Sequence, residues 1–231
     1  MTRAKAPPVA IDGTPEQPGP TEMHDPRLVQ EVKRAAIWLG MALAIIGVIV
    51  LAQPIMLIIG GLLAMSMRWE LAWPETPVPG LGWIPEPYAY GGIIPPQTYN
   101  AFFTMHATIM IFFVVMPIMV GGFGNFLIPL MIGAGDMAFP KLNMLSFWVG
   151  LVSGVVMLAS FFVPGGPAAS GWTAYAPLSA AATYTGVDWG QHLWVISLMI
   201  LGASSLMGSI NYITTVVNMR APGMRFFRMP L

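Results

Sequence analysis

The 231-residue sequence contains no cysteine, so disulfide bonds, thiolate metal sites, iron–sulfur clusters and cysteine nucleophiles are excluded. Charge is also scarce. Asp, Glu, Lys and Arg make up 9% of the residues, against about 25% in a typical soluble domain. Ten basic and ten acidic side chains cancel, which leaves no bulk charge to attract nucleic acid. The composition therefore argues against a single water-facing globule and against a nucleic-acid-binding protein.

Apolar residues are abundant instead, at 56% of the chain, with a mean hydropathy of +0.70. A helix needs roughly 20 residues to cross a hydrocarbon layer of about 30 Å, and four uncharged stretches reach or approach that length. We expect an all-α, polytopic bundle of four transmembrane helices, at about residues 35–67, 101–130, 145–163 and 193–217. Residues 1–34 are polar and rich in proline, and they are predicted to form a mobile tail ahead of the membrane part, 35–231.

Basic residues predict the orientation of these helices. Lys and Arg precede the first helix, lie between the second and third helices, and follow the fourth. The other two connections carry acidic residues and no Lys or Arg once Arg68, at the end of the first helix, is set aside. The positive-inside rule therefore predicts that both termini lie in the cytoplasm. We expect the membrane to be the inner membrane of the cell.

His106 is the first candidate for chemistry, because it lies in the second apolar stretch among aromatic residues. Intramembrane ionisable residues are functional by default, and an apolar, aromatic site suits a haem whose iron takes a histidine nitrogen. The alternative is a packing histidine bonded to a carbonyl of a neighbouring helix. His24, in the tail, and His192, at a helix boundary, carry no such indication. The histidines form no pair at the spacing of a non-haem metal site.

Asp136 is the second candidate, in the turn after the second helix. A carboxylate at a membrane mouth, with amides and hydroxyls above it, can order a file of water for proton entry. The amides and hydroxyls in question are Asn125, Asn143, Ser146, Ser204, Ser205 and Asn211. The alternative is an aspartate that caps the third helix, with the amides joining helices.

Arg68 is the third candidate, at the end of the first helix. Its guanidinium either reaches the membrane interface along its own stem or donates hydrogen bonds to a cofactor substituent near His106.

Long ordered motifs give this sequence a family resemblance. Residues 99–125 (YNAFFTMHATIMIFFVVMPIMVGGFGN), 129–140 (PLMIGAGDMAFP) and 145–148 (LSFW) resemble helix II and the following segment of haem–copper oxidase subunit I. Further matches lie at residues 171–175 (GWTAY), 208–215 (GSINYITT) and 218–220 (NMR). The resemblance runs from about Arg68 to Leu231.

The resemblance implies roles for individual residues. His106 would be one axial ligand of the low-spin haem, and Arg68 would bond the formyl group of a haem A. Trp172 and Tyr175 would lie towards the haem propionates. Asp136 would open the proton-uptake pathway, which Asn125, Asn143, Ser146, Ser204, Ser205 and Asn211 would line.

The sequence also departs from the family. Asn143-Met144 replaces a double asparagine, Tyr175-Ala176-Pro177 replaces a Tyr-Pro-Pro run, and the first helix lacks the familiar His-Lys start. About twelve helices are expected, so the second low-spin haem ligand, the high-spin haem ligand and the copper histidines would lie outside this chain. No catalytic residue is therefore assigned to it. We expect the remaining helices of subunit I in a separate chain or a missing part, with a split subunit as the hypothesis, alongside oxidase subunits II and III.

The resemblance implies an oxidoreductase of the respiratory chain, a proton-pumping cytochrome c oxidase that is active only with the missing helices. A quinol oxidase of the same family is the alternative, but the His and Gln expected of it are Thr98 and Ala101 here. Nitric oxide reductase is a weaker rival, because it gives the Asp136 pathway no use. Outside the redox class, a membrane scaffold or a small proton channel would need no haem.

Overall fold

The computed structural model describes residues 52–229, together with the single residue Gln30. The rest of the predicted tail and residues 35–51 of the first predicted helix lie outside the described part.

Four helices dominate the described residues. They are α1 (Ala52–Ala72), α2 (Pro96–Ile132), α3 (Pro140–Ala159) and α4 (Trp189–Asn218), and α3 continues as a 3-10 turn, Ser160–Phe162. All four are long and apolar enough to cross a membrane. Between residues 52 and 229 the chain forms no strand. The structure therefore confirms the predicted all-α bundle with four helices of spanning length.

The helices extend beyond the apolar stretches that revealed them. Pro96 begins α2 five residues before the predicted start at 101, and the fixed φ of proline suits the first helical turn. Trp189 begins α4 four residues before the predicted 193, and α1 continues from the predicted end at 67 to Ala72. Polar residues at these ends lower the hydropathy without interrupting the helical hydrogen bonds.

The middle of α2 is wound more widely than an α-helix. Its first part, Pro96–Thr108, and its last part, Asn125–Ile132, are α-helical, whereas Ile109–Val115 and Pro117–Gly124 are π-helical. Pro117 has no N–H to donate, which interrupts the α-helical ladder at that point. Such π-helical segments often mark functional sites, and this one begins within one turn of His106.

Small residues bring α3 and α4 together. Ser153 and Ser197 are fully buried, and each hydroxyl donates to the other residue's carbonyl, at 2.7 and 2.8 Å. About two turns away, the Ser204 hydroxyl donates to the Ser146 carbonyl at 2.6 Å. A Cβ on Gly150 would lie 3.1 Å from Ser204 Oγ. Close backbone approach and interhelical hydrogen bonds are the usual means of helix association in membranes.

Helix α3 also packs against α1 and α2. A Cβ on Gly154 would lie 3.1 Å from Met56 Cε and 3.6 Å from Phe113. Met105, Ile109 and Met157 are fully buried at this junction. The core therefore surrounds the part of α2 that carries His106.

Candidate functional site

The His106 imidazole is fixed by a hydrogen bond between helices. Its Nδ1 lies 2.8 Å from the carbonyl oxygen of Gly60 on α1. A carbonyl only accepts, so Nδ1 carries the proton, and in the neutral ring Nε2 is left with a free lone pair. The bond to Gly60 is the one hydrogen bond that the ring makes among residues 52–229, so Nε2 has no partner there. Both interpretations of His106 predict the Gly60 bond, because metal-ligating histidines commonly donate their other N–H to a carbonyl.

Gly60 allows α1 to approach α2 closely beside this histidine. The glycine is buried, and a Cβ there would lie 2.7 Å from Met110 Sδ and 3.1 Å from Met110 Cγ. Real Cβ atoms essentially never make a contact as short as 2.7 Å, so the Met110 side chain would have to move. Met110 is one helical turn after His106, so the glycine accommodates both the imidazole and its neighbour.

Two buried threonines bracket His106 on α2. Thr104 and Thr108 have no exposed surface, and their hydroxyls donate to carbonyls four residues back in the same helix. The Thr104 hydroxyl also accepts from the Gly171 N–H at 2.9 Å, and the Thr108 hydroxyl accepts from the Trp194 indole at 3.0 Å. The loop before α4 and α4 itself are thereby both attached to the turns that carry His106.

Trp172 and Tyr175 follow Gly171, whose N–H is bonded to Thr104 on α2. Trp172 follows Gly171, and its ring lies 6.3 Å from the ring of Phe112 on α2. Tyr175 is 73% exposed. The structure thus places Trp172 against the helix that holds His106, whereas the Tyr175 side chain faces outwards from the described residues.

Arg68 lies at a different level from His106. It is eight residues beyond Gly60, or roughly 12 Å along α1 at about 1.5 Å per residue. Its side chain is exposed and makes no hydrogen bond or ion pair within residues 52–229. The fold does not bring the guanidinium to the imidazole directly.

The loop that carries Asp136 is held by α4. The Ala138 N–H donates to Thr215 Oγ1 at 2.9 Å, and the Phe139 N–H donates to Asn211 Oδ1 at 2.8 Å. Asn211 and Thr215 are both fully buried. Thr215 was missed in the sequence, although it lies four residues after Asn211 and therefore on the same helix face.

Asp136 itself is exposed, and its Oδ1 accepts from the N–H of Met137 at 2.7 Å. The N-cap of α3 is Phe139, without a side-chain hydrogen bond. Helix capping, the alternative role considered for Asp136, is therefore not observed. The carboxylate is exposed on a loop that α4 holds in place.

Two serine hydroxyls beyond Asp136 donate to backbone carbonyls where α3 and α4 meet. The Ser146 hydroxyl donates to the Asn143 carbonyl at 2.7 Å, and Ser204 in turn donates to the Ser146 carbonyl. Ser205 is exposed on α4, away from that contact. The structure thus brings Asn143, Ser146 and Ser204 together and places Ser205 apart.

Half-buried Asn125 and fully buried Asn211 each leave one buried amide atom without a partner among the described residues, an oxygen in Asn125 and a nitrogen in Asn211. Asn125 Nδ2 donates to the Gly121 carbonyl at 2.7 Å, so its Oδ1 remains, buried and without a partner among the described residues. Asn211 Oδ1 accepts from Phe139, so its Nδ2 remains in the same condition. The partners fix both amide orientations, because a carbonyl only accepts and an N–H only donates. One amide therefore offers an acceptor, and the other offers a donor.

Among residues 52–229, no other histidine forms a further site. His24 lies outside the described residues. His192 is exposed and pairs with Asp188 at 3.0 Å. Within the described residues, no group of three or more His, Cys, Asp or Glu side chains is arranged to hold a metal ion.

Comparison with known proteins gives consistent matches. The family model described as "Cytochrome C and Quinol oxidase polypeptide I" matches residues 34–231. Cytochrome c oxidase subunit 1 of Thermostichus vulcanus is 44% identical over 174 residues, which cover 75% of this chain and 28% of the relative. A probable cytochrome c oxidase subunit 1-beta of Nocardia farcinica is 46% identical over 174 residues, covering 75% of this chain and 26% of the relative. The chain spans about a quarter of the length of these curated relatives.

Proposed function

This chain belongs to the cytochrome c and quinol oxidase polypeptide I family, and on that premise we propose that it forms the N-terminal part of the catalytic subunit of a proton-pumping cytochrome c oxidase. The proposed holoenzyme resides in the bacterial cytoplasmic membrane and transfers electrons from cytochrome c to dioxygen, giving water. Both chain termini would face the cytoplasm, as the distribution of Lys and Arg indicates. The rest of subunit I and subunits II and III would complete it.

The Nε2 atom of His106, which has no hydrogen-bond partner among residues 52–229, is the observation that carries the proposal. The Gly60 carbonyl holds the ring by Nδ1, the kind of contact that metal-ligating histidines usually make through their other N–H. The Nε2 lone pair then remains for the iron of a low-spin haem, and the sequence on either side of His106 is apolar and aromatic, as such a site requires. These residues fit a haem, which when bound accepts and passes on single electrons. The high-spin haem and copper of the complete subunit would be ligated outside this chain.

The chain's other polar residues would orient such a haem. Arg68 would donate to the formyl oxygen of a haem A, since its guanidinium is committed to no other group among the described residues. Trp172, packed against Phe112 on the helix of His106, would lie towards the propionates. Tyr175 would lie there as well, exposed as it is in this chain by itself.

Protons would enter at Asp136. An exposed carboxylate collects protons from the aqueous phase, and α4 keeps this one at the mouth of the bundle through Asn211 and Thr215. Beyond the loop, the free amide ends of Asn125 and Asn211 offer an acceptor and a donor to water inside the protein. Asn143, Ser146, Ser204 and Ser205 would continue the path.

A quinol oxidase is the second candidate, because the family description covers both donors and residues 219–224 (MRAPGM) resemble that type. Thr98 and Ala101 stand where a quinol oxidase is expected to have His and Gln. The curated relatives described above are named for cytochrome c. The donor proposed here is therefore cytochrome c.

A reduced-minus-oxidised visible spectrum of the purified complex, repeated with carbon monoxide, tests this function. We expect an a-type band with a component sensitive to carbon monoxide. A b-type low-spin band would favour the quinol oxidase instead. Absence of any haem band would contradict the redox function and leave a membrane scaffold or a small proton channel.

A further inference from the structure

Tyr212 connects α4 to the π-helical part of α2. Its hydroxyl donates a hydrogen bond to the carbonyl oxygen of Val120. In a π-helix that carbonyl would accept from the N–H five residues later, at Asn125. The Asn125 N–H bonds the Gly122 carbonyl instead. The end of the π-helix thus leaves the Val120 carbonyl without a bond from Asn125, and the Tyr212 hydroxyl donates to that carbonyl.

Gly124 provides the space for this contact. A Cβ at Gly124 would lie 2.8 Å from the Tyr212 hydroxyl oxygen and 3.1 Å from Cζ. The atoms that this Cβ would meet belong to the hydroxyl end of Tyr212, and that hydroxyl already donates to the Val120 carbonyl. Any side chain at position 124 would therefore displace the phenol from Val120.

The next residue along α2 is Asn125, and its amide depends on the neighbouring carbonyl. Asn125 Nδ2 donates to Gly121 at 2.7 Å, directly after Val120 in the chain. Two consecutive carbonyls are thus occupied by Tyr212 and by Asn125. With the NH2 group committed to Gly121, the amide oxygen is the end that remains buried and unpartnered among the described residues.

We propose that Tyr212 is a positioning residue for Asn125, a role that rests on the proton pathway proposed above. Tyr212 holds α2 at Val120 and Gly124. This contact fixes the segment that contains Gly121, whose carbonyl sets the orientation of the Asn125 amide. The oxygen of that amide accepts a hydrogen bond from water in the path and donates none. Without the Tyr212 hydroxyl, the Val120 carbonyl becomes a second local acceptor, and the amide loses its single orientation.

The test compares Tyr212→Phe, Tyr184→Phe and Asp136→Asn in the assembled oxidase complex, reconstituted into lipid vesicles. Tyr184 is exposed, and its hydroxyl makes no hydrogen bond within residues 52–229, so it is the matched control. The measured quantities are the rate of proton uptake, the KM for cytochrome c and the low-spin haem spectrum. We expect Tyr212→Phe to slow proton uptake about three- to tenfold, the range that one lost hydrogen bond allows. The KM and the spectrum should stay unchanged.

The results distinguish the positioning role of Tyr212 from the proton pathway on which that role rests. Wild-type proton uptake in Tyr212→Phe beside a strong loss in Asp136→Asn would overturn the role of Tyr212 and leave the pathway standing. Wild-type uptake in Asp136→Asn would overturn the pathway and this inference with it. Failure of Tyr212→Phe to assemble, or a changed haem spectrum, would also overturn the positioning role, because the contact would then be structural.

A second comparison uses the glycine. Gly124→Ala should slow proton uptake as Tyr212→Phe does, since both remove the phenol from Val120. The combined variant should be no slower than the slower single variant, because residues that act through one contact are not additive. Fully additive losses would overturn the proposal.

Discussion

The Nδ1 atom of His106 on α2 donates a hydrogen bond to the carbonyl oxygen of Gly60 on α1, at 2.8 Å. This contact sets the tautomer of the ring and determines which nitrogen is left for a ligand. It also requires close approach of the two helices, which Gly60 permits beside Met110.

Gly60→Val should therefore disturb the histidine, whereas Gly61→Val should not. A side chain at Gly60 meets Met110, but nothing lies within 4 Å of a Cβ at Gly61. We expect a loss of about 1–3 kcal/mol in stability from overpacking at Gly60, and a shifted low-spin haem band. Thermal unfolding of the purified complex, followed by its visible spectrum, measures both. Equal effects of the two substitutions would contradict the close approach of α1 and α2.

Thr215→Val should loosen the Asp136 loop, because it removes the acceptor of the Ala138 N–H. A buried donor without a partner costs about 1–3 kcal/mol. Thr214→Val is the control, since the Thr214 hydroxyl bonds only the Ile210 carbonyl of its own helix. Amide hydrogen exchange of residues 137–139 should be faster in Thr215→Val alone. Unchanged protection of those amides would contradict the role of α4 in holding the loop.

Part of this arrangement was predictable from the sequence, and part was not. Hydropathy located all four helices, and the motifs singled out His106 and Asp136. The hydrogen-bond partners were not predictable, because they join residues distant in sequence. Gly60 and His106 are 46 positions apart, and Ala138 and Thr215 are 77 positions apart. Their meeting depends on the register of packed helices, which an apolar stretch by itself does not encode.

The helix ends show a second limit. Hydropathy placed the start of α2 at 101 and that of α4 at 193, whereas the helices begin at Pro96 and Trp189. Near Gln97 and Gln191 the side chains are polar, but backbone hydrogen bonds continue through them. An apolar stretch therefore marks the part of a helix that crosses the hydrocarbon and not its full length.

The reciprocal serines should contribute to the packing of α3 on α4. We expect Ser153→Ala and Ser197→Ala to be coupled in a double-mutant cycle by about 0.6 kcal/mol, the average for such bonds in membrane helices, and by no more than about 1.7 kcal/mol. Ser209→Ala is the control, because the Ser209 hydroxyl is exposed and bonds its own helix. Unfolding of the chain in detergent would supply the free energies. Additive effects of the two buried substitutions would contradict their mutual hydrogen bonding.

Asp136→Asn should remove the charge and keep the loop, because an amide oxygen can still accept from the Met137 N–H. We expect turnover coupled to proton uptake to fall about tenfold, which corresponds to about 1.4 kcal/mol in the barrier. Asp188→Asn, in the connection before α4, is the control and should leave turnover unchanged. Oxygen consumption and proton uptake by vesicles measure the difference. Full activity of Asp136→Asn would show that protons enter elsewhere.

The most direct test of the central claim is the reduced-minus-oxidised spectrum of the assembled complex with His106→Ala, recorded beside His192→Ala. His192 is exposed and pairs only with Asp188 among the described residues. If His106 is an axial ligand, its substitution abolishes the low-spin haem band, and the His192 variant retains it. A full low-spin band in His106→Ala would contradict the assignment and leave His106 as a packing residue bonded to Gly60.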